Sequence, residues 1–385
     1  MLPTHVFRRA VLAALLIAPA MLPAAAPDTL DTLVRTAHAA GQFDGVVQVG
    51  RGDDVLYRRA VGVADRITQQ PHLVGESWRW MAITQQVTAL LAMQDVENGR
   101  LGLDDTLATA LPGFGDGGLD RVTVRQLLQH SAGLANPDDG AADTSGVPVF
   151  YRAEGAAASQ KATLRFCAGA PKSAPGAKFE DNPCDYLVLG AILERTGGAG
   201  YAQLVAKRIA RPLKLASLAV QSPARAEVSG RVVGYRAEGL REAPFNVGRY
   251  GAAGALSGTL DDLRRFDRAL LDGDLLSKPA TAAMWSGEPR LGNVAFGALA
   301  YSARLPHCAT PVGLVERRSE IGGVHAVNVL APEQGVALIA FSNTAATEFG
   351  HVMQGSGLLH DLLDAAVCEP DPPAAPAKRA TRRKR

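Results

Sequence analysis

Apolar segments at opposite ends of the chain constrain the fold most. Phe43–Val49 (F-D-G-V-V-Q-V) reads as a buried strand, and Val55–Val61 follows after the turn Arg51-Gly52-Asp53-Asp54. Phe296–Ala303, Val324–Leu330 and Gly335–Ser342 read as strands too, but near the other terminus. The text between is helical. Thr84–Asn98 places Val87, Leu90, Leu91 and Val96 at helical spacing and is closed by Gly99. Thr123 precedes a short helix Val124–His130, Asp185–Thr196 is an apolar helix, and Thr259–Leu271 opens with acids that suit a helix N-terminus. Asp138–Lys178, rich in Ala, Gly, Ser and Pro, reads as an irregular excursion with short helices. Strands, then helices, then strands imply an α+β protein in which a mainly helical lobe is inserted into a sheet lobe.

The ends have a different character. Arg8 and Arg9 precede the apolar run Ala10–Ile17 and then small residues, the pattern of a signal peptide over residues 1–26. That run is too short to span a bilayer as a helix, and an uncleaved anchor is the alternative. The reading implies an exported protein, periplasmic or secreted. Residues 369–385 combine prolines and alanines with a basic terminus and read as a disordered tail. The net charge of +2 becomes −6 once Arg8, Arg9 and the six cations of Lys378–Arg385 are set aside. An acidic body argues against nucleic-acid binding by the folded part.

Four cysteines, Cys167, Cys184, Cys308 and Cys368, suit disulfides in an exported chain. Of the three pairings, Cys167–Cys184 with Cys308–Cys368 is favoured, because its first loop is local. No C-x-x-C or H-E-x-x-H occurs, so no metal site and no cofactor are expected.

Several stretches together resemble the serine β-lactamase-like family of class C β-lactamases, DD-peptidases and esterases. V-T-V-R-Q-L-L-Q-H-S-A-G-L (122–134) is the most specific, supported in order by L-L-A-M-Q-D-V-E-N-G-R-L-G-L-D-D (90–105), P-G-A-K-F (175–179), D-Y-L-V-L-G-A-I-L-E (185–194) and V-A-L-I-A-F-S-N-T (336–344). The resemblance covers roughly residues 40–350. It implies a β-lactamase/DD-peptidase-like antiparallel sheet flanked by helices within a domain 27–368. The sheet lobe would take about 27–80 and 230–368, and the helical lobe about 81–229.

The family's chemistry uses three motifs, and each is altered here. S-x-x-K, whose lysine takes the proton of the nucleophilic serine one helical turn away, falls on Ala82-Ile83-Thr84-Gln85. Y-x-N falls on Asp181-Asn182-Pro183. The K-T-G or H-x-G of an edge strand falls on Arg317-Arg318-Ser319, with Glu320 and Gly322 as a rival register. No serine has a lysine three residues later, and no G-x-S-x-G elbow exists. Thr84 would leave the helix on another face, Ser131 reads as structural beside His130, and Glu180 and Asp181 would point apart.

Loss of a serine nucleophile costs about a million-fold in kcat, roughly 8 kcal/mol. The expectation is therefore a catalytically inactive member with a ligand- or protein-binding role, a small molecule being the candidate ligand of the cleft between its lobes. Asp181, Asn182, Arg317 and Ser319 are the ligand-binding candidates. The alternative is a hydrolase or transferase of esters, amides or β-lactams with non-standard catalytic residues, Asp181 and Glu180 serving as bases. A further expectation is an envelope protein or anionic surface as partner of the basic tail.

Overall fold

The computed structural model describes residues 27–115, 118–224, 232–236 and 239–368. The expected signal peptide and basic tail lie outside the described residues. Six strands form one antiparallel sheet: β1 (Gly45–Arg51), β2 (Asp54–Val61), β3 (Leu299–Ala303), β4 (Val312–Ile321), β5 (Val324–Ala331) and β6 (Val336–Ser342), in the order β2-β1-β6-β5-β4-β3. The two terminal strand groups meet along β1 and β6, where Gly45 lies opposite Ser342 and Arg51 opposite Val336. The α+β expectation holds, and β4 is the long strand that the sequence pattern did not mark.

Each face of the sheet is covered by helices. Val47, Ala340 and Val327 share one row and one face. They pack in a cluster with Leu30 and Val34 of α1 (Pro27–Ala39) and with Leu359, Leu362 and Leu363 of α6 (Leu358–Val367), two helices not foreseen from sequence. The spacing of those leucines and valines gives each helix one apolar stripe. The next row, Gln48, Ile339, Asn328 and Arg317, faces the other way.

On that side lie α2 (Thr84–Glu97), α3 (Val124–Leu128), α4 (Pro183–Gly197) and α5 (Leu260–Asp272). Helix α2 is buried on every side from Thr84 to Met93, as a central helix must be. Its core cluster runs without a break from Val46 and Phe341 of the sheet to Leu189 and Ile192 of α4. Thr123 closes a capping box with Gln126 at the start of α3, and Thr259 caps α5. Both were legible as caps.

Cys167–Cys184 and Cys308–Cys368 form, as expected. The first ties the helix Gln160–Cys167 to the first turn of α4. Such bonds belong to an oxidising compartment. Among the described residues, no helix is long and apolar enough to cross a membrane.

Candidate binding cleft

A cleft of about 950 Å³ opens where α2 begins, between the helical lobe and β4. The residues of the three sequence motifs converge there. Trp78-Arg79 pairs with Ser257 and Gly258 in a small sheet, Trp80 and Met81 are buried, and the chain then turns through Met81–Ile83 into α2. Met81 holds a left-handed backbone conformation (φ 47°) immediately before Ala82. In a non-glycine residue this costs about 1–3 kcal/mol and needs the surrounding packing to enforce it.

Ala82 offers no functional group beyond its backbone. Its carbonyl oxygen accepts from Arg317 Nε at 3.3 Å. One turn on, Gln85 is 2% exposed, and its Oε1 lies 2.8 Å from His130 Nε2. His130 is likewise in a left-handed conformation, with φ 52°. Its other nitrogen receives the Asn182 backbone N–H at 3.2 Å and lies 3.3 Å from Asp185 Oδ2. Burial pushes the Asp185 carboxyl up to about 6, against the lowering effect of His130.

Asp181 sits opposite. Arg317, 8% exposed, donates from one nitrogen to both Asp181 oxygens at 3.1 and 2.9 Å. Burial would raise the Asp181 carboxyl, but the charges of Arg317 and His130 outweigh it and hold it below the ordinary range. Asp181 is therefore ionised and poor at accepting a proton. Glu180 turns elsewhere, to Lys172, Lys178 and Asn136, so the two carboxylates do point apart.

Asn182 and Pro183 are explained by α4. Asn182 caps the helix by accepting from the Cys184 N–H, and Pro183 follows at the first helical position. The Asn182 amide donates to Leu134 and Ala135 carbonyls and is 2% exposed. It is turned away from the cleft, which corrects its place among the ligand-binding candidates: the helix start and the Leu134 turn consume all its hydrogen bonds. Ser131 is structural, its hydroxyl directed to the Gln126 carbonyl. Thr84 accepts from the Leu256 N–H inside the core.

Arg317 does not lie on an edge strand in the simple sense. β4 is the second strand from the edge, but the outer strand β3 pairs only with Val312–Glu316. Beyond it, Arg317–Ile321 is paired on the β5 side alone. The overhang leaves a short open strand edge beside the cleft, with Arg317 and Ser319 on the same side of the strand and both lining the cavity. Glu320 and Gly322 of the rival register also line it, whereas the contact with Ala82 belongs to Arg317.

Part of the cleft wall carries no mark in the sequence. Asp138, Tyr151, Glu242, Phe245 and Tyr250 line the cleft from the excursion and from the segment before Gly251. Tyr151 donates to Asp138 Oδ1 at 2.6 Å and stacks on Tyr250 with centroids 4.0 Å apart. No periodicity marks such residues. His130 was visible within H-S-A-G-L and Gln85 at the altered S-x-x-K, but their pairing was not. Among the described residues, no cluster of His, Cys, Asp or Glu is arranged to hold a metal ion.

A helical lobe laid over one face of an antiparallel sheet, with a cleft at the start of the central helix, defines the β-lactamase/DD-peptidase fold class. The chain belongs to the β-lactamase family, whose model, described as Beta-lactamase, matches residues 30–359. It is similar to a penicillin-binding protein of Bacillus subtilis (strain 168), with 27% identity over 280 residues that cover 67% of this chain and 58% of that one. It is also similar to Esterase EstB of Burkholderia gladioli, with 31% identity over 189 residues, 44% of each chain. The matches thus span about half the length of these curated relatives. Among solved structures, a D-stereospecific amidohydrolase from Streptomyces sp. superposes with a TM-score of 0.71 at 23% identity, covering 89% of this chain and 99% of that one. The D-amino acid amidase from Ochrobactrum anthropi SV3 gives 0.73 at 19% identity, covering 88% and 98%.

Proposed function

We propose that this protein is an exported, non-acylating member of the β-lactamase family that binds a small molecule in its inter-lobe cleft. One observation carries the reading: Ala82, with no nucleophilic atom, is followed one turn later by a neutral Gln85 already engaged by His130. A serine hydrolase needs a hydroxyl and a base to take its proton, and neither stands at these positions. Asp181 serves as counter-ion to Arg317 rather than as a proton acceptor. This weighs against the alternative of a hydrolase that uses Asp181 and Glu180.

The open edge Arg317–Ile321 and the 950 Å³ of cavity remain as binding surface. Disulfides and the sequence of residues 1–26 favour a periplasmic or secreted location. A role for the basic tail toward an envelope protein or an anionic surface is a separate proposal, tested by pull-down with and without residues 370–385. For the main reading, purified mature protein is incubated with a fluorescent penicillin and with a fluorophosphonate. The expected result is no covalent label. A stoichiometric adduct on any serine overturns it, and turnover of an ester or amide that is abolished by Asp181→Asn establishes the alternative.

A further inference from the structure

Asp138 is a carboxylate in the cleft wall that, like Glu348, has no ion-pair partner among the described residues. It follows Pro137 in a short turn capped by Asn136, and its Oδ1 is occupied by the Tyr151 hydroxyl at 2.6 Å. Its Oδ2 has no donor among the described residues. The charges acting on it are those of Asp181 and Asp139, both negative, and with burial they hold its carboxyl above the ordinary range, against the Tyr151 hydrogen bond. Of the arginines that line the cleft, Arg317 pairs with Asp181 and Arg318 with Glu316. Arg236 also lines the cleft but is not among the charges acting on Asp138.

Aromatic rings stand beside this carboxylate. Tyr151 and Tyr250 are stacked at an interplanar angle of 9°, and Phe245 meets Tyr250 edge-on at 6.2 Å. Phe245 is partly exposed, and Val147 and Pro148 continue the apolar wall. Tyr151 and Tyr250 use their facing rings on each other and Arg79 lies over Phe245, so the rings serve as an apolar wall; an open carboxylate oxygen beside it suits an ammonium, which donates a charge-assisted hydrogen bond while an apolar arm packs on the wall. A neutral hydroxyl donates there only without charge assistance, and an anion is repelled by Asp138 and Asp181 together.

We propose that the cleft takes a primary amine carrying an apolar arm, with the ammonium donating to Asp138 Oδ2 and the arm lying against Phe245 and Tyr250. This inference rests on the reading of the cleft as a binding site. The ammonium supplies three donors, of which one satisfies Asp138 and the others remain for water or for Asp181.

Three probes of one size separate the charge from the arm: phenethylamine, 2-phenylethanol and phenylacetate, titrated into the full mature protein by calorimetry and by NMR shift mapping. Phenethylamine is expected to bind at least about tenfold more tightly than either other probe, a preference that falls steeply with salt. Asp138→Asn, at an accessible position, should abolish the preference for the amine. Equal binding of the three probes, no phenethylamine saturation at about 10 mM, or a preference retained in Asp138→Asn each overturns the inference. Those outcomes leave the non-acylating reading intact, whereas a serine adduct in the labelling experiment removes that reading without touching the amine preference.

Discussion

Replacing Asp267 by asparagine should free the fold from a pH-dependent strain. Asp267 lies on α5, fully buried against the sheet. Its Oδ1 accepts from Asn328 Nδ2 at 2.8 Å, while its Oδ2 and the Asn328 Oδ1 are both without partners. Burial pushes the carboxyl from 3.8 up to about 8, with the Asn328 hydrogen bond opposing. A protonated Asp267 donates from Oδ2 to Asn328 Oδ1 and closes an acid–amide pair, so the neutral form is the one this site accommodates. The folded state therefore keeps a proton that the unfolded chain releases between about pH 4 and pH 8. Over that window stability declines as pH rises, and above it the loss is constant. At about 1.4 kcal/mol per unit, the cost reaches roughly 6 kcal/mol once the carboxyl is ionised.

Asn at 267 retains the acceptor and supplies an uncharged donor for Asn328 Oδ1. Urea unfolding of wild type and Asp267→Asn, followed by circular dichroism, measures the difference directly, because the other titrating groups are common to both. The advantage of the variant should grow by about 4 kcal/mol between about pH 5 and about pH 8.5. Parallel stability curves over that range would refute the assignment of a buried neutral acid.

Three further outcomes are expected. Ala82→Ser alone should stay unlabelled by fluorophosphonate, whereas Ala82→Ser with Gln85→Lys should label over hours, since only the pair restores a base beside the hydroxyl; labelling of the single variant would show that another group accepts the proton. Gly297→Ala should destabilise by about 2–4 kcal/mol in urea unfolding, because Gly297 has φ 75° and an added Cβ would stand 2.6 Å from the Gln85 carbonyl oxygen. Joint Cys167→Ser and Cys184→Ser substitution, which opens a link of sequence separation 17, should lower stability by about 3 kcal/mol, and an unchanged unfolding midpoint would count against a constraining role.

The start of the central helix at Ala82–Gln85 was legible in the chain, because the helix that follows is announced by its own periodicity. So were the caps Thr123 and Thr259, and the strands β1, β5 and β6, whose apolar runs declare burial on both faces. Helices α1 and α6 were not foreseen, although each has an apolar stripe. Strand β4 was marked only by the motif register at Arg317–Ser319 and not by an apolar run, because it mixes Arg317, Arg318 and Glu320 into its second half, which faces the cleft.

Side-chain direction was beyond local reading. Asn182 stood in a motif position and proved to be a helix cap, while Asp138 and Tyr151 stood in irregular text and proved to form part of the cleft wall. Gln85 meets His130 across 45 residues, Asp181 meets Arg317 across 136, and Ala82 meets Arg317 across 235. Residue types and their spacing specify helices, strands and vacant motif positions through short-range sterics and burial. Which charges neutralise one another, and which carboxylate is left open to a ligand, depends on contacts between segments that approach only when the sheet closes over the helical lobe.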